Sequence, residues 1–340
     1  MYSVTHKRKI GIQVGCAAVE RKEIGVQCSH SIGSYGRRNN ETGFLTYDEL
    51  LRNHLWTKDY TIEWLKKEKL LATNRICDIC CSEMKLRECS DRSDGYVWEC
   101  RRQIGRKRHR TEKSIREGSW FEQSNLSIEE VIKFTYWWSQ GLEQWQIKQQ
   151  LGLGSHTAVD WDMFCRELCE VTLFENREKL GGPGKVVQID ESKIGKRKYH
   201  RGHVVEGQWV FGGIEEESRK CFIVCVEDRT EGTLLKHVQE WIEPGTTIVS
   251  DCWKAYVNLD KYGYIHKTVN HSVEFVSPEG YDTNKQEGHW RQMKVNLPTH
   301  GRKKEHYSSY LAEFIWRYVN RGKDLFIVFL KDVARVYKLE

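Results

Sequence analysis

Three acidic residues between residues 186 and 294 stand where strands and a helix can bring them together. Asp190 ends the apolar run VVQID and Asp251 ends TTIVSD, so each is predicted at the carboxyl edge of a buried strand. Glu287 lies further on, in NKQEGHWRQMK. Hard cations such as Mg²⁺ and Mn²⁺ prefer carboxylate oxygens, and two of them about 3.5–4 Å apart support phosphoryl transfer. The three acids therefore predict a site for two divalent cations.

The two aspartate strands each begin after a predicted chain reversal. Pro183-Gly184 precedes the first strand and Pro244-Gly245 precedes the second. Because side chains alternate along a strand, Glu191 is expected on the face opposite Asp190. A single acid after an apolar strand is most often a turn residue or a helix cap. The strands, the turns and the helix together favour one site instead.

The glutamate is predicted on a helix that begins near Thr283. Thr283 or Asn284 can cap this helix, and Gln286 would complete a T-x-x-Q capping box. One helix face is expected to carry four residues at helical spacing: Glu287, Trp290, Arg291 and Lys294. Other acids compete for the third position, but they precede the helix in a loop that would hold them less rigidly: Glu274, Glu279 and Asp282.

The order of elements around these acids predicts an α/β fold. A strand at 186–190 is followed by strands at WVFGGIE and KCFIVCVE and by the helix TEGTLLKHVQEWI. The Asp251 strand, a short helix, a strand near HKTVNHS and the Glu287 helix come next, and HYSSYLAEFIWRYVNR closes the core. This is the order of a ribonuclease-H-like mixed five-stranded sheet flanked by helices.

Three cysteines upstream have the spacing of a structural zinc site. Cys77-x-x-Cys80 is typical of a zinc knuckle, whose second half should follow about 15–20 residues on. Cys100 fits this spacing at the end of the strand-like run YVWEC, and SDG at 93–95 predicts the turn before it. Three residues remain open as the fourth ligand: His109, which we favour, Cys81, which is adjacent to Cys80, and Cys89. A cysteine-rich turn without metal is the alternative.

The segment after Cys100 is strongly basic. Between residues 101 and 116, eight Lys and Arg residues face one acid, Glu112. Such a block is typical of proteins that bind a phosphate backbone; a solvated loop and a nuclear-import signal at RKRHR are alternatives. The block's predicted DNA contacts are Arg101, Arg102, Arg106, Lys107, Arg108 and Arg110. Lys294 and a second basic loop, beside Asp190, add further predicted contacts, with a solvated turn as the loop's alternative: Lys193, Lys196, Arg197, Lys198 and Arg201.

Residues 119–182 are predicted to be helical. Ser124 or Ser127 can cap LSIEEVIKFTYWWSQ, which has an inward apolar stripe and ends at Gly141. The run LEQWQIKQQLGLGSHTAVDWDMFCRELCEVTLF then predicts a helix, a glycine-containing turn and a helix, as in a helix-turn-helix module. In such modules the start of the second helix contacts bases, which here would be Ser155, His156 and Thr157. A helical linker packed against the core is the alternative.

Length and composition set the remaining limits. A chain of 340 residues with net charge +6 is expected to hold two or three domains. Without a signal peptide or a long apolar segment, it is expected to be soluble and intracellular, and nuclear if eukaryotic, with its 12 cysteines reduced or bound to metal. The predicted segments are a flexible arm (1–43), short helices (44–75), a zinc ribbon with basic block (76–118), the helical region (119–182), the catalytic domain (183–322) and a tail (323–340).

Five stretches resemble the Merlin superfamily of cut-and-paste DDE transposases. They are QIDESKIGKRKYHRG, WVFGGIE, IVSDCWKAY, HSVEFVSPEGYDTNKQEGHWRQMK and YLAEFIWRY. The resemblance covers about Lys185 to Tyr318 closely, and the chain from Phe44 more loosely. It implies a ribonuclease-H-like core with Asp190, Asp251 and Glu287 as its acidic triad, a Cys₂–Cys–His zinc ribbon before the basic block, and at least a dimer.

The function expected from the residues and the resemblance together is DNA transposition. The enzyme would bind the terminal inverted repeats of its element, hydrolyse a strand to free a 3′-hydroxyl, and join that hydroxyl to target DNA with two Mg²⁺ or Mn²⁺ ions. Two alternatives stay open. One is a catalytically silent, domesticated DNA-binding protein, and the other is a structure-specific nuclease of the same fold.

Overall fold

The fold is organised around a mixed β-sheet in the second half of the chain. The structure, a computed structural model, describes residues 26–27, 43–195, 207–269, 280–298 and 304–339. Within these residues the sheet has six strands: β1 (Val26–Gln27), β6 (Val186–Ile194), β7 (Gln208–Glu215), β8 (Cys221–Val226), β10 (Thr247–Asp251) and β11 (Ile265–Val269). Their spatial order is β1-β8-β7-β6-β10-β11. Apart from β1, the predicted N-terminal arm lies outside the described residues.

The sheet is antiparallel on one side of β6 and parallel on the other. β8, β7 and β6 pair antiparallel, whereas β6, β10 and β11 pair parallel. Without the two-residue edge strand β1, this is the mixed five-stranded sheet predicted from the sequence. Both predicted turns are present, because Gly184 and Gly245 adopt positive φ angles before β6 and β10.

Helices cover both faces of the sheet. α6 (Glu231–Trp241) packs Leu234 and Val238 against one face, where Phe211 and Phe222 are buried. The other face is covered by α7 (Asn284–Asn296) and α8 (Tyr307–Val319). Alternation along each strand therefore divides the core into two layers, as a sheet buried on both faces requires.

The start of α7 differs from the prediction. The side chain of Thr283 does not cap the helix, and Gln286 is fully buried, so the predicted capping box is absent. Instead, the side-chain oxygen of Gln188 in β6 accepts hydrogen bonds from the backbone N–H groups of Lys285 and Gln286, at 3.1 Å each. A strand residue thus satisfies the free N–H groups of the helix and fixes α7 to the strand that carries Asp190.

A layer of helices precedes and follows the sheet domain in sequence. They are α1 (Tyr47–Asn53), α2 (Lys58–Lys67), α3 (Ile128–Ser139), α4 (Gln144–Leu151), α5 (Ser155–Glu175) and α9 (Leu325–Val336). Ser127 caps α3, and its predicted inward stripe is buried. α9 lies in the segment that the sequence analysis assigned to a tail, yet it buries Phe326, Phe329 and Val333. No helix among the described residues is both long and apolar enough to span a bilayer.

A smaller antiparallel sheet lies in the first half of the chain. It consists of β2 (Lys85–Glu88), β3 (Tyr96–Ile104) and β4 (Lys107–Ser114). The solvated-loop alternative for the basic block is therefore wrong, since the block forms the end of β3 and most of β4. A two-residue loop joins these strands, with Gly105 at positive φ in its first position, as type II′ turns require. Two further short strands, β5 (Leu180–Gly181) and β9 (Ile242–Glu243), pair parallel.

Candidate catalytic site and metal centre

Asp190 and Asp251 lie on neighbouring parallel strands. Asp251 ends β10, as predicted, but the prediction that Asp190 ends its strand was wrong, because β6 continues to Ile194 in its pairing with β7. The register of β10 with β6 pairs Thr247 with Val186 and Val249 with Gln188. Continued by two residues, this register sets Asp251 beside Asp190, on strands about 4.8 Å apart. Both side chains then face the same side of the sheet, the side covered by α7.

The carboxylate of Asp190 is held by two hydrogen bonds. Its Oδ1 accepts from the backbone N–H of Glu191 at 2.8 Å, and its Oδ2 accepts from the indole Nε1 of Trp290 at 3.0 Å. Trp290 approaches this closely because Gly212 lies opposite Asp190 in β7. A Cβ at position 212 would stand 2.7 Å from the Trp290 ring. The glycine and the tryptophan position the carboxylate of Asp190, a contact that the sequence reasoning did not assign.

Glu287 lies on the exposed side of α7, one turn before Trp290. Trp290 itself is buried, whereas Arg291 and Lys294 are exposed, so the predicted four-residue face is divided between core and surface. Asp282, a competing acid, accepts a hydrogen bond from the backbone N–H of Asn284 at the helix start. Glu274 and Glu279 lie outside the described residues.

The three acids interact electrostatically. Burial, with repulsion from Asp251 and Glu287, raises the pKa of Asp190 to about 6, although the hydrogen bonds from Glu191 and Trp290 act in the opposite direction. Crowded carboxylates of this kind are destabilised when all are ionised, and a bound cation would relieve that repulsion. The donor set, which is oxygen only, fits a hard divalent cation.

Asp190→Asn is expected to stabilise the protein in magnesium-free buffer. Because the folded-state pKa is raised, folded Asp190 keeps its proton to higher pH than the unfolded chain. Stability is therefore lost as pH rises from about 4 to about 6. Removing the charge should raise the free energy of unfolding by about 1–2 kcal/mol at pH 7.5, after the loss of one hydrogen bond is allowed for. Thermal unfolding would measure this as a higher melting temperature.

Asp228→Asn is the matched control for this prediction. Hydrogen bonds from Thr230 and Thr233 lower the pKa of Asp228, so its charge stabilises the start of α6. The control variant is expected to be no more stable than the wild type. A less stable Asp190→Asn variant at pH 7.5 would contradict the electrostatic description of the site.

An ion pair between a buried glutamate and a partly exposed arginine lies on the opposite face of β6. The side chain of Glu191 is 3% exposed, and its nearest cation is the Nη1 of Arg229 at 4.0 Å. Burial, then repulsion from Asp190 and Asp251, raises the pKa of Glu191 to about 8. The guanidinium of Arg229 lies 4.1 Å from the ring of Trp209 and 4.6 Å from that of Trp253. Strand alternation predicted the orientation of Glu191, but nothing local in the sequence indicated its partners.

Trp253 connects this ion pair to the second aspartate. Its backbone N–H donates to Oδ1 of Asp251 at 3.0 Å, and its indole Nε1 donates to the carbonyl of Arg229 at 3.4 Å. The middle of β6, the carboxyl end of β10 and the loop before α6 are thus joined by one set of contacts. This set orients Asp251 without occupying its second carboxylate oxygen.

Three cysteines and one histidine form a second cluster at the base of the β3–β4 hairpin. The ligand atoms of Cys77, Cys80, Cys100 and His109 all lie within 4.8 Å of one another. The Nε2 of His109 is 3.5 Å from the sulfur of Cys77 and 3.4 Å from that of Cys100, and the Cys80 and Cys100 sulfurs are 3.6 Å apart. Tetrahedral zinc with bonds of about 2.3 Å to sulfur and about 2.0–2.1 Å to nitrogen requires edges of about 3.5–3.8 Å. The cluster fits that geometry.

The local backbone explains which cysteines join the cluster. Cys81 adopts a positive φ of 53° in the knuckle turn and is exposed, while Cys89 lies in the loop after β2. Burial and the neighbouring thiols raise the pKa of Cys100 to about 11. For Cys80, burial raises the pKa, but hydrogen bonds with Ser82, Cys100 and Cys77 together outweigh it and lower the pKa to about 6. Of the three candidates for the fourth position, His109 is the one that reaches the three sulfurs.

The residues predicted to contact DNA fall into three groups. Arg101 and Arg110 are ion-paired, each with its Nε 2.8 Å from Oε1 of Glu99. The other four predicted contacts of the block are exposed, without an ion-pair partner among the described residues: Arg102, Arg106, Lys107 and Arg108. Of the second basic loop, Lys193 lies over the Trp209 ring at 5.4 Å, and Lys196, Arg197, Lys198 and Arg201 lie outside the described residues.

The predicted recognition helix is the long helix α5. Its N-terminal residues Ser155 and His156 are exposed, and the hydroxyl of Ser155 accepts a hydrogen bond from Lys148 at 2.7 Å. Thr157 is partly buried. Further along, α5 is buried at eight positions, including Trp161, and belongs to the core shared with α8 and α9. α4, a glycine-containing turn and α5 therefore follow one another as predicted, and most of α5 serves the core. That they form a DNA-binding helix-turn-helix module stays a prediction.

The chain is similar to known transposases. Residues 179–319 match the family model of the ISXO2-like transposase domain. An uncharacterized transposase-like protein of Haemophilus influenzae is 30% identical over 117 residues, which are 34% of this chain and 94% of that protein. The family match covers the segment that contains the three acids.

Two solved structures show partial similarity. The catalytic core domain of BIV integrase is 15% identical, with a TM-score of 0.28, over 41% of this chain and 84% of that one. The catalytic core domain of HTLV-2 integrase, solved with magnesium, is 12% identical, with a TM-score of 0.26, over 43% of this chain and 90% of that one.

Proposed function

This chain belongs to the transposase family with the ISXO2-like transposase domain, and from that membership we propose that it catalyses cut-and-paste DNA transposition. The proposed activity is cleavage at the terminal inverted repeats of its element, followed by transfer of the freed 3′-hydroxyl to target DNA. The Merlin assignment within the family is part of this proposal. The single observation that carries it is the placement of three acids inside the matched domain, with Asp190 and Asp251 on neighbouring strands and Glu287 on the helix that β6 caps.

Asp190, Asp251 and Glu287 are the proposed ligands of two Mg²⁺ or Mn²⁺ ions. When bound, such ions supply charge stabilisation at the attacking and leaving oxygens of an in-line displacement. Asp190 is pre-oriented for this role by Trp290, and Asp251 by the backbone N–H of Trp253. Outer hydrogen bonds of this kind fix the geometry of ligand carboxylates. The proposed DNA phosphate lies on the α7 side of the sheet, where Glu287 is exposed.

Cys77, Cys80, Cys100 and His109 are the proposed ligands of one structural Zn²⁺. The site is closed, with two of its cysteines nearly fully buried, which is typical of structural and not catalytic zinc. Zinc there would hold the knuckle to the base of the β3–β4 hairpin. The basic hairpin, Lys294 and the start of α5 are the proposed DNA-contacting elements.

The proposed assembly is a homodimer that brings two element ends together, in the nucleus if the source is eukaryotic. Symmetric dimers are the commonest oligomers, and two ends require two active sites acting in one complex. The basic block supports a DNA partner, because each phosphate contact by Lys or Arg releases counterions.

Incubation of the purified protein with labelled terminal-repeat DNA and a target plasmid in Mn²⁺ tests this function. Nicks at the repeat ends and products joined to the plasmid are expected. Binding without cleavage would support a silent DNA-binding descendant, and cleavage without joining would support a structure-specific nuclease. Either result would contradict the proposal. Glu287→Gln serves as the inactive reference in the same assay.

A further inference from the structure

We propose that the tip of the β3–β4 hairpin, residues 102–108, enters the major groove of duplex DNA, whereas Arg101 and Arg110 serve the hairpin's structure. This inference rests on the proposed function, since it assumes a DNA partner. It assigns one role to the tip of the hairpin and another to the two arginines at its base. The division follows from ion pairing, exposure and strand register within the hairpin.

The base of the hairpin is fixed on both faces. In an antiparallel pair, opposite residues share a face, so Cys100 and His109 lie on one face and Glu99, Arg101 and Arg110 lie on the other. The first face carries the Cys/His cluster. On the second, Glu99 is buried and is contacted by the guanidinium groups of Arg87, Arg101 and Arg110. Arg101 and Arg110 are therefore needed to compensate the buried charge of Glu99.

The tip is built differently from the base. All four residues at the end of β3 and the first two of β4 are exposed, so both faces of the ribbon are in solvent there. Two residue pairs, Gln103–Arg108 and Ile104–Lys107, and the turn at Gly105 and Arg106 extend past His109 of the Cys/His cluster. At about 3.3 Å per residue, the pairs and the turn project by roughly 7–10 Å, which is comparable with the major-groove depth of about 8.5 Å.

The chemistry of the tip fits a groove with a phosphate backbone on each side. Arg102 and Lys107 lie on one face, Arg108 on the other, and Arg106 in the turn. None of these four cations has an ion-pair partner within the described part of the chain. Ile104, 48% exposed at the end of β3, is an apolar group suited to a thymine methyl. The major groove, about 12 Å wide, admits a two-stranded ribbon, whereas the minor groove of about 6 Å does not.

Salt-dependent binding to a mixed-sequence 30-base-pair duplex tests the division of the block. Arg106→Ala with Arg108→Ala should reduce the slope of log affinity against log salt by about two and weaken binding by about 50-fold at 0.1 M salt. Arg101→Ala should lower the melting temperature and have little effect on the slope of log affinity against log salt. Lys236→Ala with Lys331→Ala removes the same charge from exposed positions on α6 and α9 and should bind as the wild type does.

A second duplex tests the groove. Its cytosines carry glucosylated C5 hydroxymethyl groups, which fill the major groove and leave the backbone charge unchanged. Wild-type binding to it should be at least about 10-fold weaker than to the unmodified duplex. Equal affinity for both duplexes, or a zinc-loaded Arg106/Arg108 variant with wild-type slope, would overturn the proposal. If one of these results is obtained but the wild-type protein still cuts terminal repeats, this inference fails and the proposed function stands. If DNA binds through the tip but is never cut, the proposed function fails and this inference stands.

Discussion

Asp251→Asn is expected to lower Mg²⁺-dependent DNA cleavage by about 10³-fold while DNA binding is retained. Asn removes one anionic ligand but keeps the shape and the oxygen that accepts the Trp253 N–H. Metal ions supply several kcal/mol of transition-state charge stabilisation, and about 4 kcal/mol corresponds to three orders of magnitude in rate. Single-turnover cleavage of labelled terminal-repeat DNA measures the effect, with gel-shift titration for binding.

Asp282→Asn is the matched control, because Asp282 was the nearest competing acid before α7. Asn can keep the hydrogen bond from the backbone of Asn284, so cleavage should remain within a few-fold of wild type. Glu287→Gln should instead lower the rate of DNA cleavage as much as Asp251→Asn does. Full strand transfer by Asp251→Asn in Mg²⁺, or loss of activity in Asp282→Asn but not in Glu287→Gln, would contradict the assignment of the acids.

His109→Ala is expected to abolish stoichiometric zinc binding and to unfold the ribbon. Apparent binding free energies of structural zinc are about 10–16 kcal/mol, so the cluster's ligands are stabilised chiefly by the metal. The knuckle and hairpin contribute Cys77, Met84, Trp98 and Cys100 to the core, together with Leu65 of α2 and Leu70 just after it. Elemental analysis should give one zinc per wild-type chain, and limited proteolysis should cut the variant within residues 76–118.

Cys81→Ser is the control for this prediction. Cys81 neighbours the ligand Cys80 but is exposed in the turn. This variant should keep one zinc per chain and resist the protease as the wild type does. A His109→Ala protein that retains stoichiometric zinc would show that another residue completes the site.

Sequence patterns predicted the parts of the molecule that local spacing determines. Asp251 ends a buried strand, as its apolar run indicated, and the C-x-x-C spacing predicted that Cys77 and Cys80 lie in one cluster. Asp190 was expected to end its strand as well, but β6 continues to Ile194, because residues 191–194 pair with β7. Strand alternation also predicted that Glu191 faces away from Asp190. In each case the information lies within a few residues of the position concerned, so no tertiary contact was needed.

The features that the sequence did not reveal depend on contacts between distant segments. Gln188 caps α7 from almost a hundred positions earlier, so the capping box expected at Thr283 was wrong. Gln188 shares a strand face with Asp190, which was the available signal. Likewise, the bond from Trp290 to Asp190 requires Gly212 on a third element. The splitting of the basic block into paired and unpaired cations follows only from the β3–β4 register.

Anomalous diffraction from crystals grown with Mn²⁺ and terminal-repeat DNA tests the central claim most directly. The account predicts manganese between the carboxylates of Asp190 and Asp251, within about 2.2 Å of their oxygens, and its absence in the Asp251→Asn protein. Wild-type crystals with DNA in place, saturating Mn²⁺ and no manganese at these carboxylates would contradict it.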